Sequence, residues 1–524
     1  MNAWEAVQKL KGAICQAADV VASTYGPRGR VVLIGRPAPP QITTPHMSVV
    51  RTAVEDPYFT RDGVTVCRWL EGSDDIEQLG VSLLRMAAED TLDKAGDGTT
   101  LTCILLSEII RGFDRMEQEV TLEQMDMMSE LSEEVIRRIE ALATPTGFDE
   151  LVKIVGVSVK SEDIARQLAR GLWNIWPHGE VTFEYVSSLD NPYGVQFVEE
   201  KGHFYPLTIP TEFLGPSGEA VEYLRPWIAI SEEHMDSVAD INEIVKQSLD
   251  SGSPAIIIAN SFSEGVLKHI EVLRKRHSVR LIPLQLPGSG AEGRKWAEDI
   301  RILLRTHKVA SVRCTSRGYH IITEAPIPEK RSEYTTHLER LSQTADNVPS
   351  NEERKIMRQR LASFAGKRLS VLISEQHRAS TGELADRIDD GVRAGLSALA
   401  GGSVPGGGMT LWRIGSELLK EDHVPIWQRI LAEALCAPLR YLVANSEGQM
   451  REDLADQGWG YDAAAGQWRK ELTDVIDPAW VLISAIRSSV AAGRNVLMTR
   501  YVVRYKGRSK TKEAACQLVA APAI

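Results

Sequence analysis

Two glycines, one carboxylate and two hydroxyls stand together in the run Ala95-Gly96-Asp97-Gly98-Thr99-Thr100, directly ahead of the apolar stretch from Leu101 to Ile110. Glycines let backbone amides approach a ligand closely, and a helix start carries about half a positive charge. The combination is a phosphate cradle. Asp97 would repel phosphate unless a cation lay between them, so the simplest chemistry is Mg2+ held by Asp97 and bridging to nucleotide phosphates. The competing reading is a plain helix cap in which Asp97 or Thr99 satisfies free amides.

Six further short segments accompany this run. They are Thr24-Tyr25-Gly26-Pro27-Arg28-Gly29-Arg30, Thr60-Arg61-Asp62-Gly63-Val64-Thr65-Val66, Arg387-Ile388-Asp389-Asp390-Gly391, Val404-Pro405-Gly406-Gly407-Gly408, Gly460-Tyr461-Asp462-Ala463-Ala464 and Ile476-Asp477-Pro478. Singly each has a bland meaning. Asp62-Gly63 is a common tight turn, Asp389-Asp390 a solvated helix face, Gly406 to Gly408 a flexible loop, and Asp477-Pro478 a helix start. In this order and spacing the set resembles the chaperonins, most closely the group I (GroEL-type, 60 kDa) class, as a divergent member. The resemblance runs from about Val7 to about Met498 and is weakest in the middle.

The resemblance implies an ATPase whose site residues fall on matching positions. Asp97 would ligate Mg2+, with Gly98, Thr99 and Thr100 donating to the phosphates and Thr24, Tyr25, Gly26, Pro27 and Arg61 closing the other side. Asp62 and Asp390 resemble the two carboxylates that orient and deprotonate the attacking water. Positioning and charge neutralisation then suffice without a covalent nucleophile. Gly407 would approach the ribose and Asp477 accept its hydroxyls, while Asp462, Ala463 and Ala464 would face adenine. Asp462 replaces the family's usual asparagine, and an ionised carboxylate accepts but cannot donate to the ring. The implied cofactors are ATP and Mg2+, with K+ as an optional second cation.

The implied partners are non-native proteins and copies of the chain in a ring, two rings of seven being the family pattern. A lid co-chaperonin or a standard chaperonin paralogue are further candidates. The client groove is expected at His203, Phe204, Leu207 and Thr208 on one loop, Ile244 and Val245 on a first helix, and Val266, Leu267, Ile270 and Val272 on a second. His203 and Thr208 stand where aromatics are usual, Ser248 where an apolar residue is usual, and Glu271 interrupts the stripe. Apolar contact is what captures unfolded chains, so these changes predict a weaker or narrower client surface. The alternative is a specialised paralogue serving as a binding or assembly subunit with reduced general folding activity. A small-molecule kinase fits poorly, because nothing resembles a phosphate-loop Lys-Ser/Thr.

These residues need scaffolding on which to meet. At 524 residues with 43% hydrophobic content, the chain is long enough for about three domains. Trp4, Val7, Leu10 and Ile14 recur at helical spacing, as do Leu122, Met125, Met128, Leu131, Val135, Ile139 and Leu142. Short β-rich runs alternate with amphipathic helices from about Gly179 to Glu324, and helical pattern returns from Glu352. The expected fold is multi-domain α/β with an α/β segment nested between two helical halves. On the chaperonin plan this gives a helical equatorial ATP-binding domain (1–145 and 401–524), a small intermediate hinge domain (146–190 and 367–400) and an apical substrate domain (191–366).

A formal charge of −11 argues against a general nucleic-acid binder. Six scattered cysteines without a CxxC pair suit free thiols in a reducing compartment, and the eleven histidines form no metal-binding spacing. No apolar run approaches membrane-spanning length and no signal segment opens the chain, so a cytoplasmic protein is expected, without nucleic acid or membrane as partner. Two departures from the resemblance remain. The stretch from Arg30 to Thr60 is about twice the usual length and reads as a surface excursion near a subunit contact. The basic run Arg504 to Lys512 and the residues after it replace the usual Gly-Gly-Met repeats and read as a solvated tail.

Overall fold

The structure is a computed structural model. It describes residues 3–35, 58–116, 120–186, 194–210, 213, 221–277, 279–288, 290–315, 318–348, 350–374 and 378–503. Most of the insertion between Arg30 and Thr60, and the tail beyond Val503, lie outside the described residues. The chain forms two compact units, Met1–Val157 with Ala400–Ile524, and Ser158–Leu399. Among the described residues no helix is long and apolar enough to cross a membrane.

The first unit is built on helices Ala3–Ala22, Asp75–Ala95, Thr99–Asp114, Leu122–Leu142, Ile426–Asn445 and Ala479–Leu497. Their starts are encoded locally. Asp74 accepts the amides of Ile76 and Glu77, and Thr121 with Gln124 forms a reciprocal capping box. Each such cap is worth about 1 kcal/mol. The Thr99–Asp114 helix is buried on nearly every side. Its Leu105 and Ile109 share one core with Ile430, Leu431, Ile483 and Ile486 from the far end of the sequence. The expected helix faces hold at Val7, Leu10, Ile14, Met125, Met128, Val135 and Ile139, which are all buried. They fail at Trp4 and Leu122, 70% and 53% exposed, because both sit in first turns that overhang the core.

Among the described residues the second unit carries the expected α/β pattern as three larger sheets and one two-stranded parallel pair, Ser261–Phe262 with His234–Met235. Strand Lys367–Ser374 pairs parallel with Glu180–Val186 and antiparallel with Val195–Lys201. A parallel sheet runs Leu281–Gln285, Ala255–Ala259, Trp227–Ile230, its middle strand buried at every residue as a covered parallel strand must be. An antiparallel sheet runs His203–Tyr205, Gly318–Pro326, His307–Thr315, Val221–Leu224. Helices Ala291–Thr306, Arg331–Asn347 and Asn351–Ala365 close a core around Trp296 and Phe364. A charged cluster is buried among them: Arg360 donates to both oxygens of Asp299 at 2.7 and 2.8 Å, and His337 Nε2 meets the same carboxylate at 2.8 Å. A pair so deeply desolvated holds because three charge-assisted hydrogen bonds fill most of the carboxylate's roughly four lone pairs, and removing one partner strands a charge.

Candidate functional site

The first unit brings three of the sequence segments to one point. Asp62 opens helix Gly63–Trp69, Thr24 follows the end of helix Ala3–Ala22, and Thr100 lies in the first turn of Thr99–Asp114. A Cβ placed on Gly63 would fall 2.1 Å from Thr100 Oγ1 and 3.3 Å from Thr24 Oγ1. The site tolerates no side chain there. Gly98, at φ 93°, starts the Thr99–Asp114 helix with no side chain capping it, and a Cβ there would meet Val481 at 2.7 Å. Free amides at the head of a helix are the feature that receives an anion. Asp97 stands at that entrance and accepts the Gly98 amide at 2.6 Å. The cap position itself falls on Gly98, which has no side chain with which to satisfy those amides.

The opposite wall comes from the last quarter of the chain. Strands Ser403–Pro405 and Ile476–Pro478 pair antiparallel with Val404 opposite Asp477. The glycines after the first strand then turn back over the second. A Cβ on Gly406 would lie 2.8 Å from Asp477 Oδ1, and Gly407 holds φ 66°. Asp477 accepts the amides of Gly407 and Gly408, yet its carboxyl is pushed up to about 6. Burial is the main cause and repulsion from Asp97 the second. The same two carboxylates, after burial, hold the Tyr25 phenol well above its ordinary range. Thus Tyr25, Asp97 and Asp477 share one electrostatic neighbourhood. Two carboxylates facing each other in a glycine-walled cradle leave a deficit of positive charge that a cation would fill. Among the described residues no group of three metal-ligating side chains forms a cage. A cation that one carboxylate shared with phosphate oxygens, as Mg2+ does, would fit such a place.

Asp62 has a structural duty. Its oxygens accept the amides of Val64 and Thr65 at 3.0 and 2.9 Å and the Thr65 hydroxyl at 2.6 Å. A carboxylate offers about four lone-pair sites, so roughly one remains for a water. Arg61 is exposed beside it, as are Gly26 and Pro27 across the cradle. Asp390 belongs to the second unit, on helix Arg378–Gly401, next to Asp389, which pairs with Arg393.

Strands Gly460–Asp462 and Gln467–Arg469 form a hairpin that carries the residues expected to face adenine. Asp462 is no bare acceptor: it accepts the Ala465 amide at 2.9 Å and the Arg469 guanidinium at 3.1 Å. Ala463 is buried, and Ala464 is exposed with its carbonyl accepting from Arg28 at 2.8 Å. Sequence reasoning missed Arg28 in this role, and also Asn445, whose amide donates to the carbonyls of Ala22 and Tyr25 at 2.8 and 3.0 Å. Residues more than 400 positions apart leave no spacing signal.

The residues expected to line a client groove divide by burial. His203, Phe204, Leu207, Ile244, Val266 and Ile270 are all buried, Leu207 in one sheet's core and Ile244, Val266 and Ile270 in its neighbour's, while Phe204 packs against His320 and Arg368. His203 is fixed there by hydrogen bonds to the Ser363 and Phe364 carbonyls and to Thr323. Their apolar spacing is the inward face of the elements, which sequence periodicity cannot tell from a client-facing one. Thr208 and Val272 are exposed, and Val245 and Leu267 half-buried. Glu271 pairs with Lys275 along the helix.

The TCP-1/cpn60 chaperonin family matches residues 17–175, the segment that carries Thr24, Asp62 and Asp97. Among solved structures, the chaperonin gp146 from bacteriophage EL 2 (Pseudomonas aeruginosa), in presence of ATP-BeFx, is similar at a TM-score of 0.69 and 18% identity in one crystal form, over 96% of this chain and 98% of that one. A second crystal form of the same protein gives a TM-score of 0.59 at the same identity and coverage.

Proposed function

We propose that this chain, a chaperonin of the 60 kDa type in its fold and in its family-matching segment, is an ATP-hydrolysing subunit of a ring that captures, encloses and releases non-native proteins. The observation that carries the reading is the convergence of Thr24, Gly63 and Thr100 in front of an uncapped helix start, with Asp97 and Asp477 beside it. The gp146 relative was crystallised with an ATP analogue, which supports a nucleotide in the corresponding place.

In this reading the phosphates rest against the amides of Gly98, Thr99 and Thr100, and Asp97 holds Mg2+, which supplies charge neutralisation when bound. Asp477 accepts the ribose hydroxyls beside Gly407, and Asp62 orients the attacking water with its remaining lone pair. Asp390 takes the water's proton once the helix that bears it closes on the nucleotide. Hydrolysis is thereby gated by a hinge, in keeping with the three-domain division proposed from the sequence.

A second reading has its own support. Six of the ten expected groove residues are buried, which favours a subunit with a narrowed client range, acting as a specialised binding or assembly paralogue. ATP turnover and solution mass, measured together with and without Mg-ATP, separate the two. A large ring whose turnover is lost in Asp390→Ala while nucleotide still binds supports the first. A small oligomer without turnover supports the second.

A further inference from the structure

Within the second unit lies an open groove of about 780 Å³ that the ATPase reading does not use. Its rim carries Arg225, Arg305, Lys308 and Lys330 against one acid, Glu324, in a chain whose net charge is −11. Arg305 sits 3.9 Å from Glu333, whereas Arg225, Lys308 and Lys330 are exposed and make no ion pair among the described residues. Three unpaired cations around one concavity, on an acidic protein, form a local field that selects an anionic partner.

The groove's floor adds a second, independent feature. Trp227, Ile228, Leu304 and Val309 line it, and Trp227 is 37% exposed. Strand Trp227–Ile230 is the last of its sheet, with no strand on its outer side among the described residues. The Trp227 amide donates to Pro254 and the Ser231 amide to Ile258, both at 2.8 Å. Alternation along a parallel ladder therefore turns the amides and carbonyls of Ile228 and Ile230 outward. An exposed strand edge is a template for another extended chain.

The two features meet at Arg225. The chain crosses there from the antiparallel to the parallel sheet, and Arg225 is held at φ 45°, a conformation a non-glycine residue rarely adopts. Opposite it, the register of His307–Thr315 slips at Val309, the kind of irregularity that re-aims side chains at a binding surface.

We infer that this groove binds an extended acidic peptide segment of a partner protein, which adds as a strand to the Trp227–Ile230 edge, sets apolar side chains on Trp227 and Leu304, and places its carboxylates against Arg225, Lys308 and Lys330. A nucleic acid would satisfy the cations but leave the strand edge unpaired, so the peptide is the better match. The site is separate from the expected client surface and needs no nucleotide.

The test is fluorescence anisotropy of a labelled short peptide alternating glutamate and leucine, titrated with the nucleotide-free full-length protein. The L-peptide should bind, and its D-enantiomer should bind about tenfold or more weakly, because strand addition is chiral whereas charge attraction is not. Arg225→Glu/Lys308→Glu should weaken binding by about tenfold or more, with Arg225→Gln/Lys308→Gln intermediate and affinity falling with salt. Val272→Glu, on the exposed part of the expected client surface, should leave it unchanged. Equal binding of both enantiomers, tighter binding of a labelled oligothymidylate, loss of binding in Val272→Glu, or undiminished binding in the charge-reversed variant each overturns the proposal. None of these outcomes bears on ATP turnover.

Discussion

Gly63 and Thr100 lie so close that a single methyl on the glycine would land 2.1 Å from the threonine hydroxyl. Helix Gly63–Trp69 and the start of helix Thr99–Asp114 are thus registered by the absence of a side chain. Gly63→Ala should push the two apart, lower stability by about 1–3 kcal/mol as overpacking does, and weaken nucleotide-analogue binding. Urea melts and analogue titration check this together. Unchanged analogue affinity in a destabilised variant would detach the contact from the site.

Asp477 holds its proton unusually tightly, at about 6, through burial and the nearby Asp97. A folded value above the unfolded one means that ionisation costs stability, the cost starting near pH 4 and complete above about 6. Asp477→Asn should therefore raise the melting temperature at pH 8, by up to about 2–3 kcal/mol of stability, and leave it unchanged near pH 4. The same variant should bind ATP more weakly. Melts at the two pH values with nucleotide titration at pH 8 read both effects, and a gain that persists at pH 4 would contradict the assigned cause.

Asp62 is asked both to cap a helix and to orient water. Asp62→Asn keeps an acceptor for the cap and should stay within about 0.5 kcal/mol of the parent, while Asp62→Ala should lose about 1 kcal/mol. Both should lose turnover with nucleotide binding retained. Parent-like turnover in Asp62→Asn would leave the residue a cap and nothing more.

The second unit should be acid-sensitive through His203. Burial and the neighbouring His307 ring, 5.8 Å away, depress it to about 4. With two carbonyls at Nδ1 the proton belongs there, and Nε2 accepts from the Thr323 hydroxyl. Below its ordinary value near 6.5 the unfolded chain takes up a proton that the folded unit refuses. Stability should fall as pH drops from about 6.5 towards 4. His307, depressed by its own burial, adds to the same slope. His203→Gln should flatten the slope in denaturant melts across that range, and an unaltered slope would place the acid sensitivity elsewhere.

The helix start at Gly98 in the candidate site was legible because its signals are local. Gly98 needs a positive φ, and the apolar helix follows at once. The walls were less legible. Asn445 and Arg28 reach their partners across more than 400 residues, and the Arg469 that occupies Asp462 sits on the return strand of a hairpin. The burial of six expected groove residues had no mark in the sequence. Val266 and Ile270 recur at helical spacing, and the spacing fixes a face without saying what covers it. The α/β segment was recoverable from its all-apolar run Ala255–Ala259, whereas the edge position of Trp227–Ile230 depends on sheet order and has no sequence mark.

The two-strand ladder that seats Asp477 beside the glycine turn also sets a schedule for synthesis. Ser403–Pro405 cannot pair until Ile476–Pro478 has been made, and Leu105 and Ile109 cannot be covered until Ile430 and Ile483 arrive. The intervening unit, Ser158–Leu399, is continuous and completes itself in passing. At about 5–20 residues per second, the amino-terminal helices emerge and wait on the order of tens of seconds with their apolar faces bare. A newborn copy of this chain is itself a non-native polypeptide in need of shelter, and the candidate site is among the last of its parts to exist.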